Sequence, residues 1–162
     1  MTVVVDLQVA DPGPAVPSVE HIRRWVTAAA TGADDAELSV RIVGTEESRG
    51  LNERYRGVRG PTNVLSFPAD LPAEIKPRLL GDLVICRRIV EQEAEQQGKA
   101  PEAHWAHMIV HGVLHLLGHD HQTDDEAAEM EGLEVQILQG LGYPDPYGED
   151  DRGSPSVRPA VR

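Results

Sequence analysis

Cys86 is the only cysteine in 162 residues, which excludes an intramolecular disulfide and any zinc site built from several thiolates. Aromatic residues are nearly as scarce, at 4 % of the chain. Aliphatic side chains must therefore fill the core, and no row of rings offers bases a stacking platform. Positive charge is short as well: 15 Lys and Arg face 27 Asp and Glu, a net charge of −12. That balance argues against a general nucleic-acid binder working through excess cations. No apolar run approaches the length that spans a bilayer. The start, MTVVVDLQVADPG, has no basic stretch and carries Asp6 within what would be its apolar part. A reducing cytoplasm and no membrane partner are the expectation.

The length suits one compact domain. We place it at residues 1–148 and expect 149–162, rich in Pro, Ser, Gly and Arg, to be a disordered tail. Three acids and three Arg cancel there, so the acidity belongs to the folded part. It is unevenly spread. Five Arg against Glu46, Glu47 and Glu53 give Arg41 to Gly60 a net +2, whereas eleven acids against Lys99 give Glu91 to Glu134 a net −10. The positive stretch is where an anionic partner is expected.

The β-branched opening TVVVDLQVA predicts a strand. Ser18 is placed to cap a helix bearing Ile22, Trp25, Val26 and Ala29 at i, i+3, i+4 and i+7. Leu38 to Val43 alternates as a second strand, and Thr45 is expected to cap a short helix ending near Arg56. NVLSFP and Leu79 to Ile85 predict two more strands, the latter interrupted by Asp82, for which no role is assigned. Cys86 to Gln97 predicts a helix stopped by Gly98, and Pro101 opens another reaching about Leu117. Asp124 or Asp125 is expected to cap the last helix, with Ala127, Met130, Val135, Ile137, Leu138 and Leu141 as its apolar side. The sum is an α+β fold, a single layered domain with a roughly four-stranded mixed sheet and four to five helices.

Six of the seven histidines lie in HWAHMIVHGVLHLLGHDH, residues 104–121. His111 and His115 are four apart, a little over one helical turn, so both project from one face and can grip one ion. Gly118 can adopt the left-handed conformation that ends a helix, letting the chain return His121 as a third ligand from the following loop. With no thiolate available, three neutral imidazoles suit Zn²⁺, one per chain, and leave a fourth position for water whose pKa falls to about 7. Other first-row metals suit the same donors. At 1.5 Å per residue His107 is about 12 Å along the axis from His115, too far to share that ion. It is expected to support the ligands, line the cleft or pack in the core; His104 and His119 stay unassigned. Asp120 can orient a ligand ring or cap the turn.

The spacing H-x-x-x-H-x-x-G-x-x-H is that of the metzincin metalloproteases, but their general-base Glu follows the first His, and here that position is Gly112. A glycine moves no proton, which disfavours a metallopeptidase.

HGVLHLLGHDH at 111–121 resembles the signature of the YbeY endoribonucleases. LNERYRGVRGPTNVLSFP at 51–68, LLGDLVI at 79–85 and AHWAHMIVHG at 103–112 are similar to further segments of that family, in its order. His119 stands where Tyr is usual, and Val58, Arg59 and Gly60 replace a more polar stretch. The resemblance implies a bacterial, cytoplasmic, metal-dependent endoribonuclease acting on single-stranded RNA. Its family tasks are maturation of ribosomal RNA, especially the 3′ end of the small-subunit RNA, and ribosome quality control. It also implies that His111, His115 and His121 carry the metal and that Arg56, in the Tyr-Arg pair, is the functional arginine. A planar guanidinium suits that task, since it holds two phosphate oxygens as charge develops on them; the alternative is a solvated residue at a helix end. A ribosomal protein or an assembly GTPase could supply the targeting that an acidic enzyme needs to reach RNA. The rival readings are a ribosome-assembly factor with a structural metal and a small metallopeptidase.

Overall fold

The computed structural model describes residues 3–33, 35–72 and 74–148; the expected tail at 149–162 lies outside them. In chain order the elements are β1 (Val3–Val9), α1 (Val19–Ala29), β2 (Ala36–Val43), α2 (Thr45–Arg56), β3 (Val64–Pro68), β4 (Arg78–Cys86), α3 (Arg87–Gln97), α4 (Pro101–Leu116) and α5 (Asp124–Gly140). This is the expected α+β domain, a mixed four-stranded sheet with five helices. Strand order is β1-β2-β4-β3, with β1, β2 and β4 parallel and β3 antiparallel to β4. β1 and β3 are therefore the edges.

Alternation along the strands divides the sheet into two faces. Leu38, Val40 and Ile42 of β2, Leu83 and Ile85 of β4 and Val64 of β3 join α1 and α4 in the main core. Val43, Leu65 and Val84 point the other way, into a smaller cluster with Leu51 of α2 and Phe67. α2 thus packs on the face opposite α4. Asp82 meets Ser39 across the β2–β4 pair, where its carboxylate accepts a hydrogen bond from the Ser39 hydroxyl. Near the start of β4 the pairing skips one residue, from Glu37 opposite Leu79 to Leu38 opposite Gly81. This bulge needs Gly81, whose φ is +136°, and an added Cβ would lie 2.2 Å from the carbonyl oxygen of Phe67.

Ser18 caps α1 as expected, its hydroxyl accepting from the backbone of His21 at 3.2 Å. Two other caps differ from expectation by one or two residues. Gly44, extended and accepting from the amide of Ser48, precedes α2, so Thr45 is its first helical residue. Thr123 caps α5 in a reciprocal box with Glu126: the threonine hydroxyl accepts from the Glu126 amide and the Glu126 carboxylate from the Thr123 amide. Asp124 and Asp125 then fall in the first turn, where their charge favours the positive end of the helix dipole.

Every residue of α4 from His104 to Leu116 is buried. The helix lies against β3 and β4 and is flanked by α1, α3 and α5. Gly112 lies hard against the sheet: an added Cβ would lie 2.8 Å from Leu83 Cδ2 and 3.4 Å from Val64 Cγ2.

Candidate metal centre

Within α4, the side chains of His104, His107, His111 and His115 recur at i, i+3, i+7 and i+11 and form one stripe. Gly118, with φ +102°, ends the helix. Its amide donates to His115 and that of His119 to Leu114, the wrapped ending that only a left-handed residue allows. The chain then turns back, and His121 is steadied where its backbone N–H donates to Asp120 Oδ1 at 2.7 Å. That oxygen lies 3.8 Å from the His121 ring nitrogen, so Asp120 holds the turn and not the imidazole.

The rings of His111, His115 and His121 come together, with centroids 4.9 Å (111–115), 5.7 Å (111–121) and 5.1 Å (115–121) apart. Three imidazoles about one tetrahedral ion stand roughly 5 Å apart on this measure, given metal–nitrogen distances of about 2.0–2.1 Å. Nε2 of both His111 and His115 is buried without a hydrogen-bond partner among the described residues. Buried ring nitrogens are normally paired, so a cation is the partner this donor set fits. Burial first, and then the proximity of His111 and His121, pushes His115 down to about 4. It is therefore neutral at pH 7, as a ligand must be.

Behind His111 lies a residue that the sequence analysis missed. Glu134 of α5 is fully buried, and its carboxylate receives His111 Nδ1 at 2.5 Å on one oxygen and His107 Nε2 at 2.7 Å on the other. The Tyr147 hydroxyl donates to the second oxygen as well. Burial would raise the Glu134 pKa, but the hydrogen bonds from His107 and His111 prevail and hold it below the usual carboxylate range. His107 is pushed down to about 4 by burial, against the pull of Glu134. Of the roles left open for His107, these contacts place it buried against Glu134. His104 instead bonds Glu93 of α3 at 2.9 Å, and Glu93 also accepts from Asn63. A signal for Glu134 was present: Ala127, Met130, Glu134 and Leu138 are the buried residues of α5, so an acid sits in the buried register of an amphipathic helix. Val135, Ile137 and Leu141 of the expected apolar side are only partly buried.

Among the described residues, the donor atoms found within 4.8 Å of one another are those of His107, His111 and Glu134, a grouping that could hold an ion by proximity alone. The 2.5 and 2.7 Å contacts argue otherwise. They are hydrogen-bond lengths, whereas donors sharing one ion at about 2.0–2.2 Å each would stand roughly 3 Å or more apart.

Arg56 ends α2, before Gly57 at φ +68°. Its Nε and Nη1 are shielded from solvent, which a freely solvated helix-end residue would not show. The neighbouring Tyr55 ring meets Phe67 edge-on at 5.5 Å. Next to Phe67, Ser66 donates to the Gly112 carbonyl at 3.3 Å. Edge strand β3 therefore stands between the end of α2 and the histidine helix. The three histidines converge on one another; Arg56 comes from the other side of that strand.

An α+β domain with a histidine cluster at the end of a buried helix defines a candidate metallohydrolase. A family model described as Endoribonuclease YbeY matches residues 16–142. The chain is 53 % identical over 147 residues to an Endoribonuclease YbeY of Cellvibrio japonicus (strain Ueda107), covering 90 % of this chain and 83 % of the relative. The solution structure of TM1509 from Thermotoga maritima superposes with a TM-score of 0.58 at 25 % identity, covering 83 % of this chain and 88 % of that one. The chain belongs to the YbeY family of endoribonucleases, hydrolases acting on RNA.

Proposed function

We propose that this protein is a zinc-dependent endoribonuclease that cleaves single-stranded ribosomal RNA precursors in the cytoplasm, at the 3′ end of the small-subunit RNA, and serves ribosome quality control. Residues 1–148 form the catalytic domain in this reading. His111, His115 and His121 hold the metal and Arg56 binds the scissile phosphate. The observation that carries it is the convergence of three imidazole rings, two of them with buried, unpartnered Nε2 atoms, in a chain of this family. When bound, the ion would supply Lewis acidity and lower the pKa of a coordinated water. The chain's own part is to hold the three imidazoles aligned, with His115 kept neutral by burial, and to offer a guanidinium to phosphate oxygens.

Glu134 bears on the rival with a structural metal. A closed site needs a fourth protein ligand, and the buried carboxylate is already engaged by His107, His111 and Tyr147. That favours a coordination position left to water or substrate.

The test is elemental analysis of the purified protein together with cleavage of single-stranded and structured RNA and of casein. About one zinc per chain, lost with activity in His111→Ala, and cleavage of single-stranded RNA alone are the expected results. Casein cleavage without RNA cleavage would overturn the substrate class, and full metal in His111→Ala would overturn the ligand set.

A further inference from the structure

A neutral imidazole has one nitrogen that donates and one that accepts, and a metal takes the one without the proton. Which nitrogen that is depends on what faces the other. Behind His111 the facing group is Glu134, fully buried, with Oε2 2.5 Å from His111 Nδ1 and Oε1 2.7 Å from His107 Nε2. An ionised carboxylate only accepts, so each of these ring nitrogens must carry a proton. The Tyr147 hydroxyl supplies a third donor. Tyr147 is brought there by the segment after α5, whose Pro146 carbonyl accepts from Lys99 Nζ at 2.9 Å. Convergent donors are what makes burial of a carboxylate tolerable, and here they also remove its freedom to turn.

We propose that Glu134 is a positioning residue: bridging His111 and His107 and anchored by Tyr147, it fixes His111 as the Nδ1–H tautomer and so presents Nε2 to the ion. This rests on the assignment of His111, His115 and His121 as ligands. Nε2 of His111 is the atom buried without a partner, as the proposal requires. Outer carboxylates of this kind raise ligand basicity and hold the ring plane; their loss typically weakens metal binding about 10–100-fold.

Two measurements on the full chain decide it. In the metal-free protein, long-range ¹H–¹⁵N correlation of the histidine rings should show His111 protonated at Nδ1 and bare at Nε2. Zinc titrated against a competing chelator should bind Glu134→Gln at the same stoichiometry as the unsubstituted chain but roughly 10–100-fold more weakly. Glutamine keeps the size but loses the charge, and its amide hydrogens face groups that are themselves donors. The metal-free melting temperature is recorded in parallel. His111 protonated at Nε2, or unchanged zinc affinity in Glu134→Gln, would overturn the proposal. So would a weakening matched by an equal weakening in a variant that melts as early but leaves the site untouched. If Glu134→Gln fails to fold, the tautomer in the unsubstituted chain decides alone. His115→Ala separates this proposal from the reading beneath it. Zinc lost in His115→Ala while Glu134→Gln binds normally refutes only the role of Glu134. Zinc kept in His115→Ala but lost in Glu134→Gln makes Glu134 a ligand and refutes both.

Discussion

Gly112 occupies the position of the metzincin general base, and the reason is packing. Its Cα faces Leu83 and Val64 across a close approach of α4 to the sheet. A glutamate installed there would be driven into the core with its charge, so it could not restore peptidase chemistry. Even Gly112→Ala should destabilise: Leu83 is fully buried, and an overpacking cost of about 1–3 kcal/mol exceeds the roughly 1 kcal/mol gained in helix propensity. Urea denaturation of Gly112→Ala should show a lower midpoint at unchanged m-value. Arg56 presents the opposite case, a residue whose loss should be read in chemistry. Arg56→Ala should lower single-turnover RNA cleavage by roughly 10² or more, with metal content unchanged, because a clamp on developing phosphate charge acts on the transition state. Arg56→Lys should rescue only in part, since it keeps the charge and loses the fork. Unchanged cleavage in Arg56→Ala would remove it from the site.

Among the elements, the bulge in β4 makes the sharpest demand on sequence. Gly81→Ala combines a φ that L-residues avoid with a Cβ placed against backbone, the Phe67 carbonyl, which has no side-chain freedom with which to yield. A loss of about 3 kcal/mol or more is expected, readable as a fall in melting temperature. Gly81 sits inside an apolar run whose only visible interruption was Asp82, so the bulge was not legible; it exists only once β2 is paired alongside. The elements themselves were legible. The β-branched run of β1, period 2 in β2, period 3.6 in α1, and Gly98 and Gly118 as stops all depend on local physics that the chain displays in one dimension. The three clustered histidines were readable for the same reason, because an i, i+4 pair and a glycine turn are local. Glu134 gave only half a signal, an acid in the apolar register of α5, which acquires meaning when its partner 23 residues away across the α4–α5 interface is known. The caps of α2 and α5 missed by one or two residues, where several neighbouring polar residues could each have served.

For the whole molecule, burial of a neutral imidazole links folding to pH. A histidine in the unfolded chain titrates near 6.5, whereas burial brings His107 to about 4. Between those values the unfolded state binds the extra proton. Stability is therefore full above 6.5 and lost progressively as pH falls toward 4. Glu134, held below its ordinary range, adds a loss of the same sign at lower pH. The metal-free protein should show a melting temperature that falls from pH 7 to pH 4.5. Zinc should raise it at pH 7 in proportion to the logarithm of its concentration. The charge distribution makes a separate prediction. Arg41 is engaged by Glu47 and Arg49 by Glu46, so Arg54 and Arg59, together with Arg56 as the proposed phosphate clamp, are what the positive stretch is expected to offer RNA. Three phosphate contacts on a single strand give a slope of about −2 for log affinity against log salt. Fluorescence anisotropy with a short RNA between 50 and 200 mM salt, in the order of magnitude range where such slopes are read, should return a value that shallow. A much steeper slope would mean a larger cationic surface than these residues provide.

The strap that ends in Tyr147 carries a consequence for the birth of the enzyme. The chain emerges from the ribosome in order, and the histidine triad is complete once residue 121 is out. The wall behind it is not. Glu134 comes later, and Tyr143 and Tyr147, which tie the segment after α5 to Trp25, Glu102 and Glu134, come later still. In the proposed reading a nascent chain holds its metal donors before it holds the residues that align them. The finished site thus depends on residues that follow the histidines in the order of synthesis.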